Sequence, residues 1–267
     1  MSMPTDRVLR AFARSGTPKP IAGGRKTAWR IGNLVLKPAD VSVAELQWQA
    51  QVLATVRPGR VRLVLPLRST EGEFVVEGWI ATPYVEAAHE PGRWLDIIAI
   101  GRRLSTALVD LPRPAFLDTR QSPWDLADRQ AWDEEPIDGR ARYLHLDALA
   151  RLRRPLAAPA QVIHGDLTGN VLFAEGLAPA VIDFSAYWRP AAYASAIVVA
   201  DALAWEGALD DVLEGLDGEA EAGQFLVRAL LFRAIAEILR EPGVDPQAAA
   251  KPFARAVDLA RSLVGRT

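Results

Sequence analysis

Three short apolar runs, each ending on fixed polar groups, constrain this chain more than any other stretch: "QVIHGDLTGNVLFAEGLAPAVIDFS", residues 161–185. Val162–Ile163 and Val171–Phe173 bracket a polar knot of His164, Gly165, Asp166, Thr168, Gly169 and Asn170, and a third run, Ala180–Ile182, ends on Asp183. Such short apolar runs bounded by glycine read as buried strands. An ionised carboxylate at the end of a buried strand is costly to desolvate, so Asp166 and Asp183 need a chemical reason for their places. If 171–173 and 180–182 pair as a hairpin across Gly176, Asn170 and Asp183 fall at the same open end.

Two oxygen ligands from adjacent strand ends suit Mg²⁺, a hard cation that takes one or two carboxylates and leaves room for phosphate oxygens. Asp166, close by but outside that pair, suits a group that accepts or orients a hydroxyl proton. Composition removes the competing chemistries. The 267 residues contain no cysteine, which excludes disulfides, thiolate catalysis and Cys-based zinc. The three histidines, His89, His145 and His164, are too widely separated to suggest a His-built metal site. Lys plus Arg (31) nearly balance Asp plus Glu (33), so no basic excess points to nucleic acid.

With 50% hydrophobic and 24% charged residues the chain is expected to be an ordinary soluble globule of one large or two modest domains. The first residues lack the apolar core of a signal peptide, and no run approaches the roughly 20 apolar residues of a membrane span. "ASAIVVADALAW" (194–205) is the most apolar stretch, but Asp201 interrupts it and its length suits a buried helix. A cytoplasmic protein with no membrane partner is the expectation.

Along the chain, residues 5–14 read as a helix behind a Thr5 cap. A glycine pair, Gly23–Gly24, precedes a hairpin with strands around 28–31 and 34–37 and a turn at Gly32–Asn33. Residues 42–56 have helical spacing at Val43, Leu46, Ala50 and Leu53. "VRLVLPLRS" and "EFVVEGWIATPYVEA" read as two more strands with a turn at Glu71–Gly72. A hinge follows near 81–86, and the remainder is mainly helical, with 94–111 the clearest case. Residues 112–139, rich in Pro, Trp and acids, show no strong periodicity. The expected architecture is α+β and two-lobed: a strand-rich N-lobe over 1–85 and a helix-rich C-lobe over 86–267, the latter interrupted by the hairpin that carries the polar knot.

"HGDLTGN" and "IDFS", in this order and context, resemble the catalytic core of the aminoglycoside phosphotransferase and choline kinase-like family, within the wider protein-kinase-like fold. The segments "GGRKTAWR", "VLKP", "HGDLTGNVLF" and "IDFSAYWRP" look like a branch of these proteins found in high-GC Gram-positive bacteria. The resemblance implies ATP and Mg²⁺ as cofactors, Asp166 as catalytic base, and Asn170 and Asp183 as Mg²⁺ ligands. It implies that Lys37 contacts the α- and β-phosphates, with Glu45 on the following helix as its partner. In the competing register Gln49, one turn on, holds that place. Gly23 and Gly24 would belong to the loop covering the phosphates. The hinge, with Ala81, Tyr84 and Val85, would present backbone groups to adenine.

Three departures from the family pattern stand out. Asn170 follows Asp166 by four residues, one fewer than usual; Ser185 takes a place often acidic or glycine; and "AYWRPAAYASAIVVAD" replaces the usual downstream Gly-Asp-Pro segment. The expected activity is transfer of the γ-phosphoryl group to a hydroxyl of a small molecule, with antibiotic, sugar, amino alcohol and nucleoside all open as acceptors. The alternative is a nucleotide-binding pseudokinase with a regulatory or scaffolding role. The sequence does not indicate an oligomeric state. His164 reads as a structural histidine bonding backbone near Asp183, Asp201 as a helix residue paired within the large lobe, and Arg189 as a brace for the catalytic loop. Trp124 and Trp132 with Asp125, Asp128, Asp133, Glu134 and Glu135 read either as an acidic, aromatic wall for a cationic acceptor or as a solvated loop with tryptophan anchors.

Overall fold

The structure, a computed structural model, describes residues 3–12, 16–21, 28–137, 145–241 and 243–265. In chain order its elements begin with α1 (Asp6–Phe12), β1 (Lys19–Pro20), β2 (Trp29–Ile31), β3 (Leu34–Pro38), α2 (Val43–Gln51), β4 (Arg62–Leu63) and β5 (Trp79–Pro83). Then come α3 (Trp94–Leu108), α4 (Pro123–Ala131), α5 (His145–Leu152), β6 (Gln161–His164), β7 (Val171–Leu172), β8 (Ala180–Val181) and β9 (Ala186–Arg189). Four helices complete the fold: α6 (Ala191–Trp205), α7 (Ala222–Arg240), α8 (Pro246–Ala250) and α9 (Ala254–Val264). The chain divides into two compact units, one of Met1–His89 with Gly169–Phe184, the other of Glu90–Thr168 with Ser185–Thr267. The first unit therefore takes in the β7–β8 hairpin, which the sequence reading assigns to the C-lobe, because β8 pairs in parallel with β4.

In the first unit β1, β2, β3 and β5 form a four-stranded antiparallel sheet. Strand pleating sends alternate side chains of β3 to opposite faces. Leu36 goes into a core with Val8 of α1, Ile31 and Trp79. Its neighbour Lys37 lies opposite Ile80 of β5, and Ile80 packs with Leu46 of α2 and Phe74. Cross-strand partners share a face, so the pleat alone delivers the Lys37 side chain to the α2 side of the sheet. Two side-chain caps set the helix starts: the Val8 N–H donates to Thr5 Oγ1 (3.3 Å) and the Glu45 N–H to Ser42 Oγ (3.2 Å).

The two long strands expected over 61–87 are shorter than the sequence pattern suggests. Pro66 removes a ladder donor, leaving Arg62–Leu63 as β4 and a lone bridge from Leu67 to Ala81. The chain folds back again between Val76 and Trp79, where Glu77 and Gly78 both hold positive φ (48° and 78°). The expected turn at Glu71–Gly72 is present, closed by the Ser69 N–H donating to the Glu73 carbonyl (2.7 Å).

The second unit is helical around one two-stranded ribbon, β6–β9, with His164 opposite Ala186 and Gln161 opposite Arg189. Helix α6 is apolar on almost every side and buried along most of its length, as a core helix must be. Helix α7 packs against α4, α5, α6 and α9. Among the described residues no helix is long and apolar enough to cross a membrane. The loop after β6 is packed without slack: a Cβ on Gly165 would collide with Cδ2 of Tyr187, whose ring is itself stacked edge-on against Phe232. Gly165→Ala is therefore expected to lower stability by about 1–3 kcal/mol through overpacking, read as a drop in the thermal unfolding midpoint.

Candidate active site

In the first unit the end of β3 meets the end of the β7–β8 hairpin. Val171 pairs with Val181 and Leu172 with Ala180 across the turn that contains Gly176. The Ile182 N–H donates to the Asn170 carbonyl (3.0 Å), extending the ladder by one step, so Asn170 and Asp183 leave the hairpin at the same end. Asp183 holds φ at 48°, left-handed backbone that a non-glycine residue rarely adopts. Lys37 Nζ lies 2.9 Å from Asp183 Oδ1 and 3.6 Å from Asp40 Oδ1. Burial pulls the Lys37 ammonium down, and the carboxylates of Asp183 and Asp40 outweigh it, so the group stands above its ordinary value of 10.5.

Helix α2 grips the residue after Asp183. The buried Gln49 donates from Nε2 to the Phe184 carbonyl (2.9 Å) and, more weakly, to Glu45 Oε1 (3.4 Å), while the Trp48 ring tilts against Phe184 at 6.1 Å. Glu45 is 1% exposed. Both residues competing for the place on this helix are thus buried beside the Asp183 loop, and Gln49 is bonded to its backbone.

Of the other expected nucleotide contacts, Gly23 and Gly24 lie outside the described residues. Ala81 does not offer its carbonyl to a ligand, because that oxygen accepts from the Leu67 N–H (2.8 Å). The Tyr84 N–H is taken by the Asn33 carbonyl (2.7 Å) and the Val85 carbonyl by the Ala87 N–H (2.9 Å). These three hinge groups, expected to face adenine, are thus engaged within the protein. The Tyr84 ring carries the Arg30 guanidinium 3.6 Å from its centroid.

In the second unit the polar knot is held from several sides. His164 is buried and accepts at Nδ1 from the N–H of Asp166 (3.1 Å) and, at longer range, of Ser185 (3.5 Å). The Gly165 N–H donates to the Ser185 carbonyl (2.9 Å). Asp166 Oδ1 accepts from Arg233 Nη2 of α7 (2.7 Å), and Arg233 also grips Asp201 of α6 with two bonds of 2.7 Å. Asp201 is therefore paired inside this unit. Burial pushes its carboxyl up and Arg233 opposes that. The Arg233 guanidinium resists its own burial through Asp201 and Asp166 and stays charged.

Arg233, which the sequence reading did not single out, is an ion-pair partner of Asp166, and Arg189 is not the brace it was expected to be. The β6–β9 register sets Arg189 opposite Gln161, at the far end of the ribbon from His164, where it pairs with Asp128 (2.7 Å) and Glu134. The acids read as a wall for a cationic acceptor are likewise taken up. Asp125 closes a capping box with Ser122 at the start of α4, Asp133 pairs with Arg153 (2.9 Å), and Glu135 pairs with Arg129. Burial raises the Asp128 carboxyl, opposed by Arg189. These acids neutralise arginines and are not a free anionic surface.

Among the described residues no three His, Asp or Glu side chains form a metal-binding group. One carboxylate and one carboxamide at a shared hairpin end nevertheless fit Mg²⁺, which commonly draws its remaining ligands from phosphate and water. Asp183 and Asn170 are the donors that would hold it.

The sign of the Lys37 shift makes a testable statement. A lysine with a higher pKa in the folded state adds stability below its unfolded value, and loses that increment as pH rises through the folded value. Urea unfolding is expected to show this stabilisation intact at neutral pH and fading only above 10.5. Lys37→Met should remove that alkaline slope and cost about 1 kcal/mol at neutral pH, since Asp183 remains partly solvated.

No protein-family model matches this sequence, and a search of curated proteins finds no match. Solved structures do match over nearly the whole chain. An aminoglycoside phosphotransferase from Alicyclobacillus acidocaldarius aligns with a TM-score of 0.65 at 14% identity, covering 100% of this chain and 98% of its own. Spectinomycin phosphotransferase in complex with ADP and spectinomycin aligns at 0.57 and 13%, covering 95% of each chain. Choline kinase LicA from Streptococcus pneumoniae aligns at 0.58 and 12%, covering 92% of this chain and 93% of its own. The chain thus has the two-lobed α+β, kinase-like fold of these proteins, strand-rich in its first unit and helix-rich in its second.

Proposed function

We propose that this protein is an ATP- and Mg²⁺-dependent small-molecule kinase that transfers the γ-phosphoryl group to a hydroxyl. The observation that carries the reading is the 2.9 Å approach of Lys37 to Asp183 at the end of the hairpin that also carries Asn170. A fixed ammonium beside a carboxylate and a carboxamide is the combination that phosphate oxygens and a hard cation require together. Its likeness in fold to an aminoglycoside phosphotransferase, to a spectinomycin phosphotransferase with ADP bound and to choline kinase supports a nucleotide donor and a small alcohol acceptor.

In this reading Lys37 binds the α- and β-phosphates, and Asn170 and Asp183 hold the metal. Mg²⁺, when bound, neutralises charge on the phosphates. The acceptor oxygen forms a bond to the γ-phosphorus as the bond to the β–γ bridging oxygen breaks and ADP leaves. Asp166 takes the hydroxyl proton. Little covalent help is needed from the protein, so positioning and charge neutralisation do most of the catalysis. Tyr84 and Val85 offer backbone groups to the base. Within the second unit the acids around Trp132 are paired with arginines, which favours an uncharged or singly charged acceptor over a polycationic one.

The test is a panel of sugars, amino alcohols, nucleosides and aminoglycosides, screened for ADP release from Mg²⁺–ATP with Asp183→Ala as the blank. At least one compound should raise ADP above the blank, and Asp166→Asn should lower that rate by roughly 10²–10⁴-fold. A panel in which nothing exceeds the blank contradicts the reading.

A further inference from the structure

We propose that Arg233 is the positioning residue for Asp166, reaching it from α7 and itself anchored by Asp201 of α6; this rests on the phosphotransfer reading of Asp166. Arg233 makes three charge-assisted hydrogen bonds of 2.7 Å, two to Asp201 and one to Asp166 Oδ1. The side chains of Arg233 and Asp201 are each 4% exposed, whereas that of Asp166 is 43% exposed. The geometry is therefore asymmetric: a buried pair lends one arm to a carboxylate that stays reachable from solvent.

A buried arginine needs a partner, and Asp201 alone supplies it with both oxygens. The third bond goes beyond that requirement. It fixes one oxygen of the Asp166 carboxylate from the protein side, while the Asp166 N–H is fixed by His164 Nδ1 at 3.1 Å. The guanidinium has little freedom to leave this position, with the Phe232 ring at 5.1 Å and the Trp124 ring at 5.6 Å from its centre. A planar fork can serve two carboxylates at once, and a lysine ammonium cannot reproduce that geometry. Asp201 in turn balances the guanidinium, so that Asp166 is oriented without facing an uncompensated cation.

Removing only Arg233 would strand Asp201 in the core, so the informative variant is Arg233→Met with Asp201→Leu, which replaces the buried pair by apolar side chains. ADP release from Mg²⁺–ATP is measured with water as acceptor and with any panel compound that accelerates it, alongside wild type and Asp166→Asn. The double variant should lose about 10²-fold in kcat with the KM for ATP within about twofold of wild type. Arg233→Lys, which keeps the core charge balanced, should lose about tenfold in kcat with the same KM; if the double variant does not fold, this variant decides. Arg189→Met with Asp128→Leu removes a comparable buried pair in the same unit and should lower stability while leaving kcat within about twofold.

Wild type exceeding Asp166→Asn while the Arg233 variants match wild type overturns this proposal and leaves the phosphotransfer reading standing. An equal loss of kcat in the Arg189 control also overturns it, since the effect is then general to the unit. If wild type and Asp166→Asn release ADP equally, the phosphotransfer reading fails and the proposal falls with it.

Discussion

The ion pair between Lys37 and Asp183 joins the sheet of the first unit to the end of its β7–β8 hairpin. Neither partner is there by propensity. Lys37 reaches the α2 side of the sheet because the pleat of β3 sends Leu36 the other way into the core. Asp183 reaches it because a hairpin with only two paired residues on each strand stops there with left-handed backbone. A lysine so largely enclosed loses hydration, which favours its neutral form, and the carboxylates of Asp183 and Asp40 outweigh that loss. Gln49 and Trp48 of α2 then hold the following residue, Phe184, by its carbonyl and its ring. Sheet, helix and hairpin, elements far apart in sequence, are thereby tied to a few ångströms of space in which a cation faces oxygen donors.

The second unit follows a different logic. Each of its buried helices α6 and α7 carries a charged side chain inside the core, Asp201 and Arg233, where an ionised group is costly unless it is paired. Asp201 and Arg233 solve this for each other, and Arg189 with Asp128 solves it again at the other end of the β6–β9 ribbon. Aromatic rings fill the space around these pairs: Trp132 lies beneath Arg189 and Arg228, and Trp124 beneath Arg240. Such rings attract guanidinium groups at their faces and exclude water from the ion pairs. The Asp166 carboxylate is held by Arg233 of this buried lattice, while the backbone of its loop is held by His164 and Ser185.

Much of this was legible in the sequence where the signal is local. The hairpin across Gly176 follows from two apolar runs and a glycine, the helix expected over 94–111 and observed over Trp94–Leu108 from its periodicity, and the shared end for Asn170 and Asp183 from strand geometry. Signals that were present but passed over include the Ser122–Pro123–Asp125 pattern, which marks the start of α4 as a capping box with proline in its first turn. The lone arginine in "LLFRAIA" and the lone aspartate in "VVADALA" also count, since opposite charges in two apolar helices are expected to meet. What no local pattern could supply is long-range pairing. Strand β9 exists only because "AYWR" has β6 beside it, and β4 only because β8 returns to it in parallel. The fate of the acids over 125–135 was decided by arginines at 120, 153 and 189, brought to them by the fold.

The account requires that nucleotide phosphates, a divalent cation and the ammonium of Lys37 share one binding event. Calorimetric titration of ATP into the protein, with and without Mg²⁺, measures that most directly. The prediction is that Mg²⁺ tightens binding by at least about tenfold, which corresponds to about 1.4 kcal/mol, and that Asn170→Ala abolishes the gain while leaving metal-free binding in place. Equal affinity with and without Mg²⁺, or no binding of ATP in either condition, would contradict it.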